Sequence, residues 1–193
     1  MSTAELRGGA PAPSTVRARP TGFVHDVSTI AGRALRAVPR DLEGVVPVDR
    51  VVLQVGGGAL AACVGAALGP GVRLDTVQAE GCAPLAAAWE RAAVVEQPAR
   101  YWSQVMRPWP DPHSVADGIL DDETYDWIAD LDVMVESGGE PIVALESGIV
   151  RAHELAVAAG YSVSPTGSAG LAGVLAAKVR GENVAIVMSG VAR

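Results

Sequence analysis

A chain of 193 residues, 49% hydrophobic but only 4% aromatic, is long enough for one domain whose core is built from Ala, Val, Leu and Ile. Its net charge of -7 is spread along the chain without a basic stripe, which excludes nucleic acid as an expected partner. No apolar run reaches the ~20 residues of a membrane helix, and Cys63 and Cys82 lack metal-ligand spacing, so the expectation is a cytoplasmic protein with no membrane partner and no metal.

In chain order, residues 1–21 carry no continuous apolar segment and read as a disordered tail rather than a secretory signal. The folded domain is expected over 22–193. "VSTIAGRALRAV" places Val27, Ile30, Ala31, Ala34, Leu35 and Val38 at helical spacing, and Pro39 ends that helix. "VDRVVLQV" reads as a strand buried on both faces, "ALAACVGAAL" as a buried helix, "VRLDTVQ" as a second strand and "PLAAAWERAAV" as a second helix. Residues 97–112, with two tryptophans and four prolines, predict an ordered irregular connection. Then follow the helix "DDETYDWIADL", its acidic start suited to a helix N-terminus, the strand "PIVAL", the helices "SGIVRAHELAVAAG" and "GLAGVLAAKV", and the strand "NVAIVMSG". This alternation predicts an α/β fold of three layers, a mostly parallel twisted sheet with helices on both faces.

The break from "VVLQV" into "GGG" and then into a helix is the first chemical signal. Glycines between a strand end and a helix start let backbone N–H groups converge without Cβ obstruction, and the helix N-terminus adds partial positive charge. The expected guest is a phosphate. Gly56, Gly58 and Ala61 also satisfy G-x-G-x-x-A, with Asp75 and Glu80 near the distance of a ribose-binding acid, so a dinucleotide (NAD or FAD) site of an oxidoreductase is one reading. Close helix-on-strand packing without any ligand is another.

Further motifs narrow the choice. "VVLQVGGGAL", "VRLDTVQAEGCAPLAAAW", "HSVADGIL", "SPTGSAGLAG" and "NVAIVMSG", in that order, resemble the C-terminal portion of fold-type II pyridoxal-phosphate enzymes, the tryptophan synthase β superfamily, with "HSVADGILDDETYDW" closest to its threonine synthase and serine-threonine dehydratase branch. The resemblance implies that Gly56, Gly57, Gly58 and Ala59 form the loop holding the phosphate of pyridoxal 5'-phosphate, with Leu60 opening the helix. It implies that Gly118 lies beside the cofactor ring, that Thr166 and Gly167 line its far side, and that Ser189 bonds the pyridine nitrogen. The family usually has a fourth glycine where this chain has Ala59. Alanine there costs about 1–2 kcal/mol if the position needs a positive φ and nothing if it is the first helical residue.

Family members also bind the cofactor aldehyde through a Schiff-base lysine upstream of the glycine loop. This chain has one lysine, Lys178, near a predicted helix end, where it complements the helix dipole. No catalytic residue is therefore assigned. The resemblance implies an amino-acid lyase catalysing β/γ-elimination or replacement that is truncated, split or completed by a lysine-bearing partner chain or a second copy; a noncatalytic pseudoenzyme or regulatory module is the alternative. His25, His113 and His153 are scattered without metal spacing, Cys82 reads as a small packing residue, and the tryptophans read as anchors of the long connection. Asp121, Asp122 and Glu123 are assigned to a helix N-terminus, and Ser168 to a helix cap.

Overall fold

The computed structural model describes residues 48–190. The tail and the helix expected near residues 27–38 lie outside the described residues. Four strands form one sheet: β1 (Arg50–Gln54), β2 (Arg73–Ala79), β3 (Pro141–Ala144) and β4 (Val184–Ile186). Their order is β3-β2-β1-β4 and every pairing is parallel, with Val52 opposite Asp75, Val77 opposite Ile142 and Val51 opposite Ala185. Helices α1 (Ala59–Leu68), α2 (Pro84–Ala92), α3 (Trp102–Val105), α4 (Trp127–Ser137), α5 (Glu146–Ala158) and α6 (Pro165–Ala177) cover it.

The side-chain alternation of β1 divides the core in two. Val51, Leu53 and Val55 point to one face, against Ala61 and Val64 of α1, Leu85 of α2 and Trp127, Leu131 and Met134 of α4. Val52 points to the other, with Val77, against Ile149 and Ala152 of α5 and Ala169 and Ala172 of α6. The three-layer expectation holds, and β1 lacks polar alternation because both its faces are covered. Trp102, in the long connection, meets Trp127 edge-on at 5.5 Å and pins that segment to the core.

Two helix starts differ from the sequence expectation. Helix α4 begins at Trp127, so Asp121, Asp122 and Glu123 lie in the preceding loop rather than in a helical first turn. The reason is a competing bond: the Asp126 amide donates to the Gly57 carbonyl at 3.0 Å, which fastens this loop to the glycine turn. Helix α6 begins at Pro165 and is capped by Ser164, whose hydroxyl accepts from the Gly167 amide at 3.1 Å; Ser168 sits one turn inside and bonds back to the Ser164 carbonyl.

At the N-terminal end of the strands, buried Asp75 accepts from Arg50, from Arg73 at 3.0 Å and from the Glu140 amide at 2.9 Å. Arg50 also bonds Glu182, whose carboxyl it holds below the usual range. This network ties β1 and β2 to the approaches of β3 and β4. Glu80, at the other end of β2, accepts from the Glu146 amide at 2.7 Å and so serves the start of α5. Asp75 is thus committed to this network at the opposite end of the sheet from the glycine turn, and Glu80 gives one oxygen to the start of α5.

Candidate functional site

Parallel α/β sheets place ligands beyond the C-terminal ends of their strands, and the candidate residues gather there. Val55 still donates to Val77 at 2.9 Å, after which Gly56, Gly57 and Gly58 turn the chain into α1. The left-handed position is Gly58, with φ 102°, and Ala59 is the first helical residue. Alanine at 59 therefore carries no backbone penalty, and helix α1 opens at Ala59 rather than Leu60. Ala59 and Leu60 are both exposed.

No described protein group accepts from the amides of Gly56, Gly57, Gly58, Ala59 or Leu60. Five donors in succession at the positive end of a ten-residue helix are an anion-binding geometry. Gly56 and Gly58 are also sterically required. A Cβ on Gly56 would meet the Asp121 carboxylate and lie 3.1 Å from the Ile119 Cα, and one on Gly58 would lie 2.5 Å from Asp130 Oδ2.

Beneath the turn, Asp130 is fully buried, and neither carboxyl oxygen finds a well-formed hydrogen bond among the described residues; the nearby Ala62 amide, itself bonded to the Gly58 carbonyl at 3.1 Å, only weakly offsets its burial. Burial, reinforced by the neighbouring Asp126 charge, pushes its pKa well above the ordinary carboxyl range. Burial raises Asp126 as well. Both shifts favour the neutral acid and so reduce the negative charge under the anion-binding turn.

The other candidates lie around this turn. The Gly118 amide donates to Thr166 Oγ1 at 3.0 Å, and Thr166 in turn donates to Asp117 at 3.4 Å, so the "ADG" segment and the first turn of α6 are joined. Ile119, the next residue, lies beside Gly56, where a Cβ would come within 3.1 Å of its Cα. Ser189 follows β4, and its hydroxyl oxygen accepts from the Gln54 side-chain amide at the end of β1. The Gly190 carbonyl accepts from the Ser164 amide at 3.1 Å, which fastens the "MSG" segment to the start of α6. All of these residues thus share one end of the sheet.

Lys178 does not join them. It is the C-cap of α6, twelve residues along the helix from Thr166, or about 18 Å at 1.5 Å per residue. Cys82 is fully buried, its thiol pushed up to about 11 by burial and by Asp121 and Asp122, and Cys63 is raised by burial too; both are packing residues. Among the described residues, no group of three or more His, Cys, Asp or Glu is arranged to hold a metal, and no helix is long and apolar enough to cross a membrane.

Sequence reasoning missed Asp121, Asp130 and Gln54. Asp130 carried a signal, since it falls between Trp127, Leu131 and Met134 on the buried stripe of α4, where an apolar residue is expected. Gln54 carried a weaker one, a lone polar side chain within the apolar run of β1. Asp121 carried none, because its place depends on how a loop folds back on the glycines.

The geometry agrees with what the chain is similar to. The family described as pyridoxal-phosphate dependent enzyme matches residues 13–190. No curated protein sequence matches the chain. Among solved structures, a threonine deaminase from T.th. is 23% identical with a TM-score of 0.65, over 86% of this chain and 57% of its own. Maize serine racemase is 21% identical with a TM-score of 0.63, over 86% of this chain and 48% of its own. The processed form of threonine deaminase isoform 2 from Solanum lycopersicum is 18% identical with a TM-score of 0.61, over 86% and 45%. The chain spans about half the length of these structures, with which it shares the fold. On the family match over most of its length, the chain belongs to the pyridoxal-phosphate dependent enzymes.

Proposed function

We propose that this chain forms the phosphate- and ring-binding wall of an amino-acid lyase of the threonine synthase and threonine dehydratase kind. The observation that carries the reading is the run of unaccepted amides from Gly56 to Leu60 at the start of α1, with Ser189 and the Gly118–Thr166 pair around the same end of the sheet.

The residues present fit pyridoxal phosphate. The amides of 56–60 and the helix dipole suit its dianionic ester. When bound, the cofactor supplies an electron-withdrawing ring that stabilises charge developed at the Cα of an amino acid. Ser189 is a hydroxyl donor suited to a neutral pyridine nitrogen. Unlike a carboxylate it does not hold that nitrogen protonated, which suits elimination or replacement at the β or γ carbon rather than transamination. Gly118, held by Thr166, positions backbone for the ring, while Thr166 and Asp117 brace that contact.

The amine that captures the cofactor aldehyde comes, in this proposal, from a lysine-bearing partner, because the lysine of this chain stands at the far end of α6. Purified chain incubated with pyridoxal phosphate is expected to bind it reversibly, and borohydride is expected to leave no covalent adduct on Lys178. Trapping on Lys178 would overturn the partner proposal, and failure to bind the cofactor at all would overturn the site. Isolation with a protein that becomes the trapped species favours a two-chain enzyme over a noncatalytic binding module.

A further inference from the structure

We propose that Gln54 is a positioning residue for the cofactor ring: its side-chain amide donates to the Ser189 hydroxyl oxygen and leaves the Ser189 hydrogen for the pyridine nitrogen. The inference rests on the pyridoxal-phosphate reading above and assigns a role to a residue that the motifs do not mark.

Gln54 closes β1 between Leu53 and Val55 and is only 4% exposed. An amide in such a place is costly unless bonded, and its bonding is one-sided. Nε2 donates to Ser189 Oγ, whereas Oε1 has no partner among the described residues. Oε1 packs toward α6 where Gly170 leaves space; a Cβ at Gly170 would lie 3.3 Å from it. The helix thus backs the carbonyl end of the amide, and the donor end meets the serine.

A serine hydroxyl has one hydrogen and two lone pairs. With one lone pair taken by Gln54, the hydrogen points elsewhere, and no described group accepts it. Ser189 is exposed, so without Gln54 its hydroxyl would rotate freely among solvent partners. Gln54 converts it into a fixed donor, which an unprotonated ring nitrogen can accept.

The test compares two ligands on the full chain: pyridoxal phosphate and its ring-carbon analogue, in which C–H replaces the pyridine nitrogen. Dissociation constants are measured by equilibrium dialysis, with inorganic phosphate binding as the control for the glycine turn. The parent chain is expected to prefer the nitrogen ring by about two- to tenfold, the range of one neutral hydrogen bond. Ser189→Ala abolishes the preference. Gln54→Met reduces it because the hydroxyl is no longer fixed, and Gln54→Glu abolishes it because a carboxylate accepts the Ser189 hydrogen. Phosphate binding stays within about twofold in all three, no more than the smallest change expected for one lost hydrogen bond.

Equal binding of the two ligands by the parent overturns the proposal without any variant. So does a preference lost in Ser189→Ala but retained in both Gln54 variants. Binding of neither ligand by the parent is a distinct outcome, which overturns the pyridoxal-phosphate site itself and the Gln54 role with it.

Discussion

Asp130 is the residue whose burial has the clearest consequence. Its folded pKa is raised first by burial and then by Asp126, while in the unfolded chain it titrates near 3.8. Between those two values the folded state holds more protons than the unfolded state, so its contribution to stability falls as pH rises through that window. Asp126 acts with the same sign. Asp130→Asn is expected to unfold at higher urea than the parent at neutral pH and to show a flatter decline of stability above the unfolded value of 3.8; a profile unchanged from the parent would mean the carboxyl finds a partner. Gly58→Ala tests the turn itself. The left-handed φ of 102° costs about 1–2 kcal/mol for any L-residue, and the new Cβ would press on Asp130. Loss of cofactor affinity together with a lowered urea midpoint is the expected result. At this scale the sequence marked the glycines as a strand-to-helix turn and, through resemblance, pointed to Ser189, Gly118 and Thr166 as candidates, because each belongs to a short contiguous motif. Asp121 was not legible and Gln54 only weakly so, since their partners lie 65 and 135 positions away.

Among the elements, α2 shows how a strand can cap a helix. Ala83 offers no side-chain cap, and Pro84 stands at the first turn, yet the Leu85 and Ala86 amides are satisfied at 2.8 and 3.2 Å by Oε1 of buried Gln78 on β2. Its Nε2 donates to Thr124 at 3.3 Å, so one side chain links the sheet, α2 and the loop that walls the glycine turn. Gln78→Leu is expected to lower stability by about 2 kcal/mol through two unsatisfied amides. Gln78→Glu, which keeps the acceptor and favours the helix dipole, should cost less at neutral pH. Urea midpoints at constant slope measure both, and equal losses would mean the cap is energetically idle. The element sequence itself was largely readable from periodicity: β1, β2, β3 and helices α1, α2, α4, α5 and α6 fall near where the apolar pattern places them, whereas the short helix α3 lies in the stretch 97–112 read as an irregular connection. Boundaries were misread where a polar residue served a tertiary partner, as with Asp126 at the glycine turn and Ser164 at the start of α6.

Over the whole molecule, the sheet separates two tasks. Its N-terminal end holds the Asp75 network, and its C-terminal end carries the glycine turn proposed to bind phosphate; Gly56 lies four residues past Val52, the partner of Asp75 in register, or about 13 Å at strand rise. Perturbations that far apart are expected to add independently. Removing a partner from a buried ion network leaves its arginines undercompensated, so Asp75→Asn should lower stability by about 3 kcal/mol. Ligand linkage supplies the other half of the experiment. Pyridoxal phosphate at about one hundred times its dissociation constant should stabilise the folded chain by about 2.7 kcal/mol, which raises Tm by roughly 5–10 °C for a chain of this size. If the two ends are independent, Asp75→Asn lowers Tm with and without ligand while the increment from pyridoxal phosphate stays the same. Gly58→Ala, in contrast, should shrink that increment. Scanning calorimetry of both variants at the same pyridoxal phosphate concentration as the parent decides the matter, and an increment that falls in Asp75→Asn as well would mean the sheet transmits strain between its ends.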